Sequence, residues 1–452
     1  MTAVADLAVL RFGTGLPVPA SAPLTPEAML ASLSGPDLIA QKFPIPDFDL
    51  VMGLLQVADS LRKGARRDPA KNRKTYDAAV ETAAIPARTA ARITVARAVA
   101  NPDGFRERLV AFWTDHFSTR SRNQFQTYLP FALAEQAVRP HLAGNFTDLL
   151  SAVTLHPAML SYLDQTTSYG PGSKKGLAQD RGLNENLARE LIELHTLGVD
   201  AAYSQTDVRQ MAELLTGLAF DHERGFFFDK ARAEPGSEEV LGIEYRGEGM
   251  EPILAALHDL ALRPETAAHL SRKLAVHFVS DEPSAALVEA IRLAYSESGG
   301  DLLASYQALL THPDSWSPLR SKARQPYDFI IASLRALGIS GQEIVEMPEK
   351  LFRRLIQNPM ESMGQQFKGP PGPNGWPEEA EAWITPQGLA GRITWAMNIP
   401  SRLANPLPDP VVLAKTALGS LAGETLLWSA ARAENIREGV GLVLSSPEFN
   451  RR

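Results

Sequence analysis

The chain has 452 residues, of which 44% are hydrophobic, 21% charged and 7% aromatic. This composition is typical of globular proteins and excludes the disordered, collagen-like and fibrous classes. The 45 basic residues against 52 acidic residues leave a net charge of −7, which argues against a nucleic-acid binder. Because the chain contains no cysteine, disulfides, thiol nucleophiles and cysteine-ligated metal sites are excluded as well.

The amino-terminal segment carries none of the marks of a secretory signal. Residues 1–15 have no basic stretch ahead of their apolar residues, and Asp6 interrupts the short apolar run. We therefore expect a cytoplasmic protein. No run of about 18 uncharged apolar residues occurs in the sequence, so we also expect no membrane span.

Apolar residues recur every three or four positions through almost the whole chain, and strict alternation is scarce. This pattern predicts an all-α fold, which we interpret as one large multi-helix globular domain over residues 1–452. In chain order, the predicted helices cover residues 26–34, 47–62, 76–99, 104–117, 129–142, 145–155, 183–197, 206–218, 250–261, 264–279, 284–298, 301–311, 326–337, 348–357, 385–397, 409–418 and 424–444.

Three stretches between these helices are predicted to be loops. The first, residues 62–75, carries seven basic residues against Asp68 and is interpreted as a solvated, linker-like loop. Its charge could also attract a phosphate, an acidic lipid or a nucleic acid. The second, residues 166–182, is rich in glycine, serine and lysine and could form a lid. The third, residues 364–376, is rich in proline and glycine, and we expect an ordered turn that packs Trp376 onto the body.

Two predicted helices each carry a histidine on an apolar face. The helix at 104–117 ends its apolar stripe with His116, and the helix at 183–197 places His195 beside its leucines. A single histidine in such a position is more often a hydrogen-bonded core residue than a functional one. If the two helices face each other, however, His116, His195 and Glu190 would form a water-poor site suited to proton transfer.

The same side chains could hold a metal ion, but their spacing matches no known motif. Glu190 and His195 are five positions apart and diverge on a helix, whereas two ligands on one face need a spacing of three or four. A bound metal stays an open alternative, and no metal ligand is assigned. No Walker loop, dinucleotide fingerprint or serine elbow occurs in a suitable context, so the cofactor is unknown.

Other polar groups stand near these helices. The helix predicted at 264–279 spaces His269, Lys273 and His277 every four residues. We interpret this ridge as a solvated face, and the alternative is a ridge that holds an anion. Asp164 ends a helical stretch just before the second loop and is a further candidate.

The polar residues of the helix at 183–197 belong to a longer recognisable pattern. The pattern comprises FWTDHF at 112–117, NEN at 184–186, ARELIELHTLGV at 188–199, YSQTDV at 203–208, GW at 375–376 and SPEF at 446–449. Through it the chain resembles, over essentially its whole length, the bacterial family catalogued as domain of unknown function 1800. The resemblance implies a helical bacterial protein, often encoded beside a sulfatase-like protein that could be its partner. Many relatives look exported.

Three functions are compatible with the sequence. The first is an enzyme, a hydrolase or lyase, with Glu190, His195 and His116 in acid–base roles. Its substrate-binding residues would be Arg189, Asn184, Asn186, Asp164 and Lys273. The second is a non-catalytic helical binding or maturation partner of a sulfatase-like protein, whose polar signature residues stabilise the core. Envelope or polysaccharide binding is a third reading, for which the predicted loops offer the aromatic residues Trp376, Trp383 and Tyr169.

Overall fold

Helices dominate the structure, as the apolar periodicity predicts. The computed structural model describes residues 3–452, apart from the side chains of Ala3 and Lys63, so the first two residues of the predicted domain lie outside the described residues. Helices make up 62% of the chain and strands 4% in a single globular body, which confirms the all-α prediction. The first helices are α1 (Ala3–Phe12), α2 (Pro26–Ser34), α3 (Leu38–Lys42), α4 (Phe48–Arg67), α5 (Pro69–Ala100), α6 (Phe105–His116), α7 (Leu129–Leu133), α8 (Phe146–Thr154), α9 (Pro157–Tyr162), α10 (Lys174–Gln179), α11 (Asn186–Glu190) and α12 (Gln205–Leu214).

The second half of the chain begins with two hairpins and then returns to helices. The strands are β1 (Leu218–Asp221), β2 (Gly225–Phe228), β3 (Ser237–Val240) and β4 (Ile243–Arg246). The helices are α13 (Glu251–Ala261), α14 (Pro264–Phe278), α15 (Ala285–Glu297), α16 (Leu302–Thr311), α17 (Pro326–Ala336), α18 (Gly341–Glu346), α19 (Glu349–Phe352), α20 (Asn358–Ser362), α21 (Ala380–Trp383), α22 (Pro386–Asn398), α23 (Pro400–Leu403), α24 (Pro410–Leu418), α25 (Glu424–Ala430) and α26 (Ile436–Ser445). Short π-helical segments cover Ala134–Val138, Leu191–Thr196 and Arg353–Gln357. Among residues 3–452, no helix combines the length and the apolar character needed to cross a membrane.

The basic loop predicted at 62–75 is wrong. Helix α4 continues through this region and α5 follows at once, so only Asp68 separates them. The Asp68 carboxylate accepts the backbone N–H of Lys71 at 3.3 Å and thereby caps α5, while Pro69 suits the first helical turn. The basic side chains therefore lie on two helices. The sequence did not indicate a helix here, because these charged residues leave no apolar stripe at helical spacing.

Two other elements differ from the prediction. The antiparallel hairpins β1–β2 and β3–β4 were not expected, because strands of four residues are too short to show a clear alternation. The helix predicted at 424–444 is instead two helices, α25 and α26. Asn435 separates them, since its side chain accepts the N–H of Glu438 and begins α26 there.

The other two predicted loops are present, and specific contacts order them. In the segment 166–182, which contains α10, the N–H groups of Gly170 and Lys175 donate to the carbonyls of Arg232 and Ala231 at 2.8 Å each. These bonds tie the segment to the chain that follows β2. Its role as a lid stays a prediction. The segment 364–376 packs on the end of α6, as described below for the site.

Helix α6 runs through the hydrophobic core. Phe105 and Phe112 on α6 both pack on Phe278 of α14, with ring centroids 6.2 and 6.1 Å apart. Trp113 is fully buried and donates its indole N–H to the hydroxyl of Tyr306 at 2.6 Å. Aromatic contacts of this kind add to the free energy gained by burial and hold the rings in set orientations. The carboxyl end of α6 therefore has a well-defined position next to α14.

The helix predicted at 183–197 is observed as α11 followed directly by the π-helical segment Leu191–Thr196, and together we call them the signature helix. The N–H of Leu197 donates to the carbonyl of Ile192 at 2.9 Å, five residues back. A π turn inserts one residue relative to an α-helix and rotates the side chains that follow, often at functional sites. The side-chain directions expected for a regular α-helix therefore do not apply beyond Glu190.

Candidate functional site

Two histidines cap the carboxyl end of the signature helix. His116 donates its Nε2 proton to the carbonyl oxygen of His195 at 3.2 Å, and His269 donates in the same way to the carbonyl of Leu194 at 3.2 Å. The carbonyls at the end of a helix lack backbone partners and need such donors. Because a carbonyl only accepts, both rings must carry their proton on Nε2, which leaves a free lone pair on each Nδ1.

Burial keeps these imidazoles neutral. Desolvation, together with the positive charge of Lys273, holds the pKa of His116 well below its ordinary value of 6.5. The same two causes lower the pKa of His269 to about 4 and that of His195 to about 3. The Nδ1 atom of His116 has no hydrogen-bond partner among the described residues. A neutral nitrogen of this kind can accept a hydrogen bond from a bound molecule.

His116 and His269 open onto a cavity of about 910 Å³, which we call the His–Lys pocket. The pocket is formed by the end of α6, the residues after the signature helix, α14 and the segment 371–379. Its ionisable residues are Asp115, His116, Asp200, Glu265, His269, Arg272, Lys273, Glu378 and Glu379. This volume is in the range of cavities that hold small-molecule ligands.

The interpretation of His269, Lys273 and His277 as a solvated face is wrong. His269 and Lys273 line the pocket, and His277 is buried. This face of α14 packs against α6 and the segment 371–379 rather than against solvent, and the exposed positions of α14 are instead Pro264, Glu265, Ala268 and Arg272. A spacing of four residues shows which side chains share a helix face, but it does not show what that face meets.

Among the ionisable residues of the pocket, Lys273 is a partly buried cation without a partner among the described residues. The structure shows no hydrogen bond or ion pair from its ammonium group to any described residue. Desolvation lowers its pKa from the ordinary value of 10.5, although the negative charges of Asp115 and Glu378 oppose this shift. A desolvated lysine that faces a cavity is suited to hold an anionic group or to exchange a proton.

Asp115, next to His116, is the carboxyl group with the most unusual environment in the pocket. Burial and the negative charge of Glu378 raise its pKa from 3.8 to about 7, against the opposing effects of Lys273 and of a backbone hydrogen bond. That bond comes from the N–H of Trp376, which lies 3.1 Å from both carboxylate oxygens. A carboxyl group that titrates near neutral pH can serve as either proton donor or acceptor.

The loop that brings Trp376 to Asp115 depends on Gly375. This glycine has a φ of +80°, and a Cβ atom added to it would lie 2.7 Å from Oδ2 and 2.8 Å from the carbonyl oxygen of Asp115. Only glycine fits such a close approach in this conformation. The site therefore needs the expected ordered turn at 364–376 for its construction.

We expect Gly375→Ala to lower the free energy of unfolding by about 2 kcal/mol, because the new Cβ forces the loop away from Asp115 and strains the backbone. Urea denaturation followed by tryptophan fluorescence measures this. Gly372→Ala is the matched control in the same loop, since its φ is ordinary and its Cβ would meet only the flexible end of Asn374. Equal losses in the two variants would contradict the close approach.

A second layer of ion pairs supports the pocket from behind. His277 donates its Nδ1 proton to Oε1 of Glu378 at 2.5 Å, and Lys322 lies 3.1 Å from Oε2 of the same carboxylate. These contacts hold the pKa of Glu378 well below its ordinary value, against the effect of burial. Glu378 is therefore a fixed negative charge beside Asp115. No motif in the sequence marks Glu378, because it lies in a proline-rich segment and its partners His277 and Lys322 are distant along the chain.

The structure brings together only some of the residues that the sequence selected. His116 and His195 meet, with ring centroids 6.1 Å apart, but His195 is buried beneath the pocket against Phe117 and does not line it. Glu190 does not line the pocket either. Burial and the negative charge of Glu193 raise its pKa from 4.5, which Arg189 partly opposes. Its acid–base role stays a prediction.

The remaining predicted residues take part in local networks outside the pocket. Arg189 contacts Glu193 at 3.2 Å, Glu185 at 3.3 Å and Gln205 at 2.9 Å, and so joins the signature helix to α12. The side-chain oxygen of Asn184 accepts the N–H of Asn186 at 2.9 Å, where the signature helix begins. Asp164 forms an ion pair with Arg122 at the surface. Of the predicted substrate-binding residues, Lys273 alone lines the pocket.

Within the described part of the chain, no three His, Asp or Glu side chains are grouped so that they could hold a metal ion together.

Fold and site together define a class: a mostly helical protein with a pocket open to solvent, where neutral histidines, an unpaired lysine and a carboxyl group with a near-neutral pKa converge. The chain belongs to the family described as Protein of unknown function (DUF1800), which matches residues 22–451 and confirms the resemblance seen in the sequence. Neither a curated protein nor a solved structure matches the chain.

Proposed function

We propose that this protein is an enzyme, a hydrolase or lyase, and that its acid–base chemistry takes place in the His–Lys pocket. The observation that carries the proposal is the convergence of Asp115, His116, His269 and Lys273 on one cavity large enough for a small molecule. Titratable groups with displaced pKa values that meet in a cavity are characteristic of active sites.

The chemistry of each group assigns its role. Asp115, with a pKa of about 7, donates or accepts the proton at the reacting atom. The free Nδ1 of His116 accepts a hydrogen bond from the substrate. Lys273, together with Arg272 at the rim, binds an anionic group of the substrate. His195 positions His116, because its carbonyl holds the His116 ring through Nε2.

A second candidate is the non-catalytic binding or maturation partner of a sulfatase-like protein. The observation in its favour is the Arg189 network, which uses the most characteristic polar residues of the signature helix to join it to α12. In this reading those residues stabilise the body, and the outer surface binds the partner. A co-purification that recovers a stoichiometric sulfatase-like protein, together with an inactive pocket, would favour it.

The test of the enzyme proposal is a turnover screen with variants of the pocket. The probes for hydrolysis are the p-nitrophenyl esters of acetate, phosphate and sulfate. The probes for elimination of water are a panel of short hydroxy acids. We expect turnover in one probe class, and a rate lower by about 10²–10⁴-fold in Asp115→Asn and Lys273→Met. Lys350→Met, at an exposed position on α19, is the matched control and should keep the full rate.

Two outcomes decide against this placement. Turnover that is unchanged in folded Asp115→Asn and Lys273→Met would exclude the pocket as the active site. Loss of turnover in Glu190→Gln alone would place the site on the signature helix, as the sequence analysis expects. Elemental analysis of the purified protein beside Glu190→Gln and His195→Ala tests the open alternative of a bound metal, which would disappear in the variants.

A further inference from the structure

A second cavity, which we call the inner chamber, shares Asp115 and Trp376 with the His–Lys pocket. Its volume is about 130 Å³. An engineered cavity of about 150 Å³ is large enough to bind benzene, so the inner chamber can hold a molecule of a few heavy atoms. Unlike such an apolar cavity, this chamber also has charged and hydroxyl groups in its largely apolar lining.

Several buried hydrogen-bonding groups in the lining of the chamber have no partner among the described residues. They include the hydroxyls of Thr114 and Thr119, and the Nε and Nη2 atoms of Arg108. All three residues are at least nine-tenths buried, with exposed fractions of 8, 5 and 3%. Buried polar groups normally have partners, and leaving them without one is costly. These groups are therefore available to hydrogen-bond to a molecule bound in the chamber.

Most of the charged groups around the chamber are paired with one another. Arg139 contacts Glu107 at 2.8 and 2.9 Å, Arg97 contacts Glu135 at 2.6 Å, and Arg108 pairs with Asp328. Three guanidinium groups are thus paired with three carboxylates of the lining, and Asp37, which does not line the chamber, also contacts Arg139 at 2.7 Å.

This pairing leaves over one carboxyl group of the lining, Asp115, and one cation, Lys368. Lys368 has no hydrogen bond or ion pair to any described residue, and the nearby carboxyl of Asp115 is the charge that acts on it most. Its backbone has a φ of 53°, a left-handed conformation that is uncommon for a residue with a side chain. Such a conformation persists only where the surroundings impose it, and it often occurs at functional sites. The loop thus holds Lys368 in the chamber at a cost in conformational free energy.

We propose that the inner chamber binds a small oxyanion, held by the ammonium group of Lys368 and the hydroxyls of Thr114 and Thr119. Carboxylates and tetrahedral oxyanions share the chemistry that these donors recognise. Because Asp115 lines both cavities, the bound anion would lie beside the carboxyl group of the His–Lys pocket. The proposal concerns binding only, so it holds or fails independently of the turnover screen.

The experiment compares thermal unfolding of the full chain in sodium acetate, phosphate and sulfate with unfolding in sodium chloride at equal ionic strength. We expect at least one oxyanion to raise the Tm by about 1–3 °C in a saturable manner. Titration calorimetry with that anion then gives its Kd. We expect a Kd at least about 10-fold higher in Lys368→Met and about 5-fold higher in Thr114→Val, an isosteric change that removes only the hydroxyl.

Lys350→Met, which removes an exposed lysine, is the control and should leave the Kd unchanged. If Lys368→Met fails to fold, Thr114→Val and Thr119→Val carry the test, since both conserve the side-chain volume. A response to acetate alone identifies a carboxylate site, and a response to phosphate or sulfate alone identifies a tetrahedral one. No Tm rise beyond that in chloride, or a Kd unchanged in the chamber variants, overturns the proposal.

Discussion

Asp115→Asn is expected to be more stable than the wild-type protein, and its advantage should grow by about 2–3 kcal/mol between pH 5 and pH 8. In the folded protein the Asp115 carboxyl has a pKa of about 7, whereas its ordinary value is 3.8. Between these values the folded state keeps a proton that the unfolded state has released. The free energy of unfolding therefore falls as the pH rises through this window, and asparagine removes that loss.

Urea denaturation of both proteins at several pH values between 5 and 8 measures the effect. Asp180→Asn, at an exposed position, is the control and should show no such trend. The result bears on function as well, because a residue retained at the expense of stability is characteristic of an active site. An advantage that is constant with pH would mean that Asp115 is ionised in the folded protein at pH 5.

The second large effect is expected from the ion pairs around the inner chamber. Glu107 accepts two hydrogen bonds from Arg139, and both side chains are more than nine-tenths buried. Removal of one partner leaves a buried charge without its main counterion, even though Asp37 still contacts Arg139 at 2.7 Å. We expect Glu107→Ala to lower the free energy of unfolding by about 3 kcal/mol.

The same denaturation assay tests this value against a matched surface pair. Arg73 and Asp77 form an exposed ion pair at 2.9 Å, and Asp77→Ala should cost less than about 0.5 kcal/mol. A double variant, Glu107→Leu with Arg139→Met, should regain much of the loss because it leaves no unpaired charge. A loss below about 1 kcal/mol in Glu107→Ala would show that the pair is not desolvated.

Part of the site could be predicted from the sequence because it depends on local spacing. The apolar stripe of α6 places His116 in the core, and the leucines of the signature helix do the same for His195. Side chains three or four residues apart share a helix face whatever the rest of the chain does. For the same reason the all-α class could be predicted from the periodicity, and the family from the motifs along the chain.

Short elements and a charged helix escaped the same reasoning. The hairpin strands are too short to show alternation, and the start of α5 carries charge instead of an apolar stripe. The π-helical segment was also missed, because no periodicity in the sequence marks its extra residue. Hydrogen bonds from His116 and His269 reach the carbonyls at its carboxyl end from distant helices.

The sequence by itself determined the helical class, the family and the burial of two histidines. Only the tertiary structure decided which groups surround them. Asp115 meets Trp376 across 261 residues, and His116 meets the carbonyl of His195 across 79. The pKa of Asp115 and the isolation of Lys273 follow from desolvation and from charges that arrive on distant segments. Such effects depend on distance in space, and spacing along the chain carries no information about them.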